Sequence, residues 1–242
     1  MTYKCDIKFM AVPSRMQNVT TLCMRLGLSI SDVAIDTDLS FLPLKTSQKA
    51  FSLPKDKGVT HRLVLQDDVL VNPYLKESII EVINRFPNNP IALFMGTEKN
   101  ILENGFYRLH FLTAQGIIMP FHLIDDLKVA YSQFRDFPHD DWFYSWYCKN
   151  NNIAIIGVKP NLVTINANIE STLDHINPTF KETHFTMGKV DVSALPDRTY
   201  EWGDNYHSFT MNEMGKKKEQ WNKTMARLKK KARKEITSSK QF

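Results

Sequence analysis

The chain has 242 residues, 43% of them hydrophobic and 24% charged, with a formal net charge of +5. That is enough apolar material for one sizeable core and excludes a chain disordered throughout. No segment reaches the roughly 18 uninterrupted apolar residues of a membrane span, and the N-terminal residues hold no apolar run of signal-sequence length. The expectation is therefore a soluble, cytoplasmic protein. Cys5, Cys23 and Cys148 are odd in number and form no CxxC pair, which excludes a disulfide framework or a cysteine zinc site and implies reduced thiols.

In chain order, residues 5–11 are an apolar-rich strand candidate ending at Val12-Pro13-Ser14-Arg15. Val19, Leu22, Cys23 and Leu26 then recur at helical spacing, with Ser14 as the expected N-cap and Gly27 as the C-cap. Val33-Ala34-Ile35 is a second strand that runs into Asp36-Thr37-Asp38, and a polar connection comes next. Leu63-Val64-Leu65 is a third strand, and Gln66-Asp67-Asp68-Val69 places two adjacent carboxylates at its end. Asn72-Pro73 opens a helix whose apolar face is Leu75, Ile79, Val82, Ile83 and Phe86, stopped by Pro87. Further on, 91–94 and 113–119 read as strands, 120–134 and 141–149 as helices, and 153–156 and 162–165 as short strands. Phe143, Trp146 and Tyr147 on the second of these helices are expected to pack in the core. Strands alternating with amphipathic helices indicate an α/β fold with a mixed, mainly parallel sheet flanked by helices. Open sheets of this kind place ligand sites at the carboxyl ends of their strands. No GxGxxG or GxxxxGK pattern is present, so phosphate must be held by side chains and metal.

Charge is unevenly distributed. Lys216 to Lys240 contains eleven Lys or Arg against Glu219 and Glu235, a net +9 that leaves −4 on the remainder. Trp221, Met225, Leu228 and Ala232 repeat on one face of a helix there, beside Lys223, Arg227, Lys230 and Lys234. The expected organisation is a main domain over 1–198 and an extension over 199–242 carrying a basic helix.

Several landmarks occur together and in order: Val12-Pro13-Ser14-Arg15, Asp36-Thr37-Asp38, Leu65-Gln66-Asp67-Asp68-Val69, His139-Asp140-Asp141-Trp142 and Ser171-Thr172-Leu173-Asp174-His175-Ile176. On these the chain resembles nucleotide-sugar-dependent glycosyltransferases of the GT-A fold, particularly small bacterial and phage members. The resemblance covers 7–176. It implies a Rossmann-like GT-A domain, a UDP-sugar donor and a bound Mn²⁺ or Mg²⁺ that stabilises the charge on the departing diphosphate. It implies Asp68 and His175 as metal ligands, with Asp67 meeting the metal through water or contacting the ribose. Related sequences usually carry an acid at the position of Gln66, so ribose recognition there uses an amide. Val12, Arg15, Asp36 and Asp38 belong by resemblance to the nucleotide pocket, where a carboxylate accepts from uracil or ribose and Arg15 pairs a phosphate. Asp141 is the implied acceptor-side base and Asp140 its reserve; helix capping is the competing use of both.

The basic helix suits a polyanion. With the resemblance to phage members it suggests DNA as acceptor, sugar being placed on a hydroxymethylated base in the host cytoplasm, and Tyr200, Trp202, Tyr206 and Phe209 lie just before it. A glycan, lipid or protein acceptor is the alternative within enzymes. A non-catalytic nucleic-acid-binding protein is the alternative outside them.

Overall fold

A computed structural model describes residues 2–38, 40, 42–94, 114–158, 160–169, 185–189 and 210–238, with side chains in the last segment described through 226. The strands are β1 (Cys5–Ala11), β2 (Val33–Ile35), β3 (His61–Gln66), β4 (Val69–Val71), β5 (Ile91–Ala92), β6 (Gly116–Pro120), β7 (Ile156–Gly157) and β8 (Val163–Ile165). The helices are α1 (Met16–Leu26), α2 (Pro43–Phe51), α3 (Leu75–Arg85), α4 (Phe121–Tyr131), α5 (Asp140–Asn150) and α6 (Met211–Ser238). Two compact units result, Met1–Gly203 and Asp204–Phe242.

The first unit is built on a six-stranded sheet of order β2-β1-β3-β6-β5-β7, and β4 pairs with β8 in a separate antiparallel ribbon. Strand β1 is parallel to both β2 and β3, and β5 is parallel to β7. Among the described strands of this sheet, β6 alone runs against its neighbours. The expected mixed, mainly parallel sheet flanked by helices is therefore present. Nearly every residue of β1, β3 and β6 is buried, the pattern of strands covered on both faces. The core joins Phe9, Leu63, Leu65, Ile118 and Ile91 of the sheet to Leu22 of α1 and to Leu75, Ile79 and Ile83 of α3. Phe143 and Tyr147 of α5 are buried as expected, and Trp146 packs against Phe134 with ring centroids 4.5 Å apart. Gly116 marks a tight crossing, because a Cβ there would lie 3.3 Å from Leu65, Leu93 and Val163.

Local signals account for most boundaries. Gly27 ends α1 in the left-handed region at φ 61°, donating its N–H to Cys23 and Met24. The expected N-cap at Ser14 is not observed: Pro13–Arg15 form a 3₁₀ turn and the cap position of α1 falls on Arg15. Proline supplies the φ of a helical first turn, so the chain begins to coil before Ser14 can act as a cap. Strand β5 is shorter than the 91–94 expected, although Leu93 N–H still reaches the Gly116 carbonyl at 3.0 Å. A larger difference is α2, which lies where a polar connection was expected. It buries Leu44, Ala50 and Phe51 but also Thr46, Ser47 and Gln48, so its inward face lacks an apolar period. Tyr144 of α5 accounts for those polar residues, its hydroxyl lying 2.6 Å from Ser47 Oγ and 3.2 Å from Gln48 Nε2.

Arg62 ties α2 to the sheet. Its side chain is fully buried and pairs with Asp6, its register partner on β1, through Nε at 2.9 Å and Nη2 at 2.6 Å. Its remaining N–H groups donate to the carbonyls of Ala50, Phe51, Leu53 and Pro54, at and just beyond the end of α2.

In the second unit, α6 opens with a capping box in which Thr210 and Glu213 exchange side-chain-to-backbone hydrogen bonds at 3.3 and 3.2 Å. The expected basic C-terminal helix is thus present. Among the described residues, no helix is long and apolar enough to cross a membrane.

Arg62→Met removes the cation that pairs the buried Asp6 carboxylate and, with it, the donors to four carbonyls. Urea unfolding is expected to show a loss of about 3–5 kcal/mol, the range for breaking a buried ion pair from one side.

Candidate functional site

Because β1, β2 and β3 are parallel, their carboxyl ends lie at one edge of the sheet. The chain visits β2 on one side of β1 and then β3 on the other, so this edge contains the point where the strand order reverses. The loops that leave it carry Val12 and Arg15 from β1, Asp36 from β2, and Asp67 and Asp68 from β3.

Asp67 is the tie between them. Its Oδ2 accepts the Val12 N–H at 2.7 Å and its Oδ1 accepts Arg15 Nη1 at 2.6 Å. Its carbonyl accepts Asn18 Nδ2 from α1 at 2.5 Å. Burial pushes the Asp67 carboxyl above the ordinary range, opposed by the Arg15 charge and the Val12 N–H, while neighbouring Asp68 pushes the same way as burial. Both of its oxygens are therefore committed within the protein.

Asp68 is placed differently. Its Oδ2 shares the same Arg15 Nη1 at 3.0 Å, and its carbonyl accepts the Asn166 N–H at 2.7 Å, which fixes it against the β8 end. Its Oδ1 is buried and has no hydrogen-bond partner among the described residues. A hard, unsatisfied carboxylate oxygen suits a divalent cation that takes one protein carboxylate and completes its shell with phosphate and water. Among the described residues no group of three His, Cys, Asp or Glu surrounds such an ion. His175, with all of 171–176, lies outside the described residues, as do Tyr200, Trp202, Tyr206 and Phe209.

A second cluster adjoins the first. Gln66 donates its backbone N–H to the Gln115 carbonyl at 3.1 Å, and Gln115 Nε2 reaches Gln66 Oε1 at 3.3 Å. Asp140, in the first turn of α5, is 4% exposed. Its Oδ1 accepts the Asp141 N–H at 2.9 Å, whereas Oδ2 has no hydrogen-bond partner among the described residues. Burial pushes this carboxyl up to about 6, against the Asp141 and Asp140 N–H groups and the nearby Gln66 amide, which favour its charged form. Asp141 is less buried, and its Oδ1 accepts the Trp142 N–H at 2.8 Å in the manner of a capping residue. Gln66 thus stands between Gln115 and Asp140.

The remaining nucleotide-pocket candidates separate. Asp36 is buried at the end of β2; its N–H reaches the Ala11 carbonyl at 2.8 Å, and its Oδ1 accepts Ser40 N–H and Oγ at 3.2 and 2.9 Å. Asp38 is half exposed and turns to α2, where Lys45 Nζ at 2.5 Å and Lys49 Nζ at 4.0 Å face it. The hydrogen bond and charge of Lys45 hold its carboxyl below the usual range. Two residues of the edge carry no signal in the sequence pattern, Asn18 and Gln115. Asn18 sits on the polar side of an amphipathic helix, and Gln115 precedes a strand whose direction only the sheet reveals.

No family model and no curated protein matches the chain. Among solved structures, a mutant of Drosophila β-1,4-galactosyltransferase 7, described as a complex with manganese, UDP-Gal and xylobiose, is 11% identical, covering 74% of this chain and 82% of that one at a TM-score of 0.37. Likeness at that level does not establish a common family or activity.

Asp67→Asn keeps the side-chain volume but removes the charge that holds Arg15 and one acceptor for the Val12 N–H. Hydrogen exchange at the Val12 amide is expected to accelerate by at least about tenfold, with amides in the middle of β3 little changed.

Proposed function

We propose that this protein is a metal-dependent glycosyltransferase that moves a sugar from a UDP-sugar to a hydroxyl. One observation carries the reading. Four buried side-chain polar atoms among the described residues lack a partner, and three of them, Asp68 Oδ1, Gln115 Oε1 and Asp140 Oδ2, gather at the carboxyl edge of the sheet. All three are acceptors. Unpaired buried acceptors cost roughly 1–3 kcal/mol each, and a site that keeps several together is built for a ligand bringing cationic charge and hydroxyl protons. A nucleotide-sugar with its divalent cation brings both, and the ordered landmarks of the sequence point to the same donor.

In this reading Asp68 is the protein carboxylate that holds Mn²⁺ or Mg²⁺, and His175 is its second ligand by resemblance. The bound ion supplies Lewis-acid stabilisation of the charge that collects on the departing diphosphate. Arg15, fixed by Asp67, places a guanidinium beside that charge. Val12 and Asp36 frame the nucleotide from the β1 and β2 ends. Asp140 is the acceptor-side base: it lies at a helix start beside Gln66, has one oxygen without a partner, and its proton affinity suits transfer near neutral pH. The acceptor oxygen bonds to the anomeric carbon as the sugar–phosphate bond breaks, its proton passes to Asp140 Oδ2, and UDP leaves. Asp141 organises the helix start and the Asp140 carboxylate through its N–H.

The acceptor is the finer part of the reading. Helix α6 contains ten Lys or Arg against Glu213, Glu219 and Glu235, a charge density that fits a polyanion. Hydroxymethylated DNA meets both needs, a phosphate backbone for the helix and a hydroxyl for Asp140.

Purified protein incubated with Mn²⁺, UDP-sugars and hydroxymethylated DNA is expected to release UDP and yield a glycosylated nucleoside by mass spectrometry. Full release in EDTA would overturn metal dependence, and DNA binding without turnover on any UDP-sugar would make the chain a binding protein.

Asp68→Asn is expected to remove most Mn²⁺-stimulated UDP release. Asp140→Asn is expected to lower transfer by about 10²- to 10⁴-fold while UDP binding persists, with Asp141→Asn less damaging. Since the base acts deprotonated, transfer should fall as pH drops below about 6 and level off above it. Reversal of Lys216, Lys217, Lys218 and Lys223 to Glu should weaken DNA binding and flatten its salt dependence while leaving UDP affinity unchanged.

A further inference from the structure

Gln115 is not among the residues that the sequence motifs single out, yet its environment is unusual. It is 7% exposed and immediately precedes β6, and because β6 runs against β3, this start of the strand lies beside the carboxyl end of β3. Its carbonyl and its Nε2 are both engaged with Gln66, at 3.1 and 3.3 Å. Those contacts fix the amide plane and leave Oε1 as a buried acceptor with no donor among the described residues. The partner it lacks must bring an O–H or N–H. Asp140 Oδ2, on the carboxyl that the Gln66 side chain also neighbours, is a second acceptor without a donor among the described residues.

We propose that Gln115 is a specificity-determining residue whose Oε1 accepts a hydrogen bond from a hydroxyl of the transferred sugar, with Gln66 holding the amide in place. The inference rests on the donor-site reading above and adds to it the atom that reads the sugar. A neutral acceptor held on one side by a second amide distinguishes hydroxyls by position, because a sugar lacking the matching hydroxyl leaves Oε1 unpaired. This role also gives Gln66 a use other than ribose contact.

Calorimetric titration of the full chain with UDP, and with UDP-glucose, UDP-galactose and UDP-N-acetylglucosamine in the presence of Mn²⁺, identifies a sugar that adds affinity over UDP. Monodeoxy analogues of that UDP-sugar then test the assignment. With the unsubstituted protein, loss of one particular hydroxyl should weaken binding about 2- to 13-fold, the range for one neutral hydrogen bond. Gln115→Met, of similar length and without an acceptor oxygen, should weaken the parent UDP-sugar by a like factor and lose nothing further on that analogue. UDP itself should bind both proteins equally.

If the two losses add instead of overlapping, or if Gln115→Met weakens UDP as much as UDP-sugar, Gln115 is a structural support and the proposal fails while the donor site stands. If no single hydroxyl matters to the unsubstituted protein, it fails without recourse to a variant. Absence of any UDP binding by the unsubstituted protein overturns the donor-site reading, and this assignment with it.

Discussion

The carboxylate of Asp67 is the contact on which the carboxyl edge of this sheet depends. Parallel strands deliver their loops to the same edge but do not join them, and each loop leaves in its own direction. Asp67 joins two of them by accepting the Val12 N–H and the Arg15 guanidinium, and its carbonyl holds Asn18 at the start of α1. Burial disfavours its charge, so the arrangement holds only while Arg15 stays beside it. Asp68 inherits its position from this tie. It is pinned by Arg15 on one oxygen and by Asn166 on its carbonyl, and its other oxygen has no partner among the described residues.

The same protein shows how buried charge is treated where no ligand is needed. Arg62 and Asp6 lie deeper than Asp67 and Arg15, yet the polar groups of the pair are matched to each other or to carbonyls at the end of α2. Lys8 and Asp32 likewise close on each other at 2.6 Å, anchoring the turn before β2. Among the described residues, three of the four buried side-chain atoms without a partner lie at this one edge, Ser78 Oγ of α3 being the fourth. The cost of leaving such acceptors unpaired therefore falls mainly at that edge. For Asp140 the sign is definite. Its proton affinity is higher folded than unfolded, so its contribution to stability is greatest at low pH and is lost as pH rises through about 6.

Strand and helix positions were legible wherever burial is apolar and periodic, as in β1, β3, α1 and α3. Helix α2 was not, because its inward face is half polar and its partners, Tyr144 above all, come from about a hundred residues away. Ser14 looked like a cap from its residue type, while the preceding proline had already begun a 3₁₀ turn. In the candidate site, Asp67 and Asp68 were legible as acids at a strand end, but their division of labour was not. Which one is committed internally depends on where Val12 and Arg15 arrive, and that is set by the register of β1 against β3. The different environments of Asp140 and Asp141 were hidden for a similar reason. Two adjacent acids at a helix start look alike in sequence, and burial of one beside Gln66 separates them.

Strand direction explains the residue that was hardest to foresee. In a parallel sheet the site is assembled from the residues just beyond the carboxyl end of each strand, and the positions after β1, β2 and β3 include Val12, Arg15, Asp36, Asp67 and Asp68. Strand β6 is reversed, so the edge receives the residue before it, and Gln115 occupies that position. Gly116 next to it lets the backbone pass close to Leu65 and Val163, which brings the Gln115 side chain against Gln66 at the level of the carboxylates. An antiparallel strand inserted into a parallel sheet therefore supplies this edge with a side chain at a place where a parallel strand would present the opposite end. The acceptor on Gln115 and the one on Asp68 come to the same edge of the sheet from chain segments of opposite polarity, and that convergence is a property of the sheet order, invisible in either segment alone.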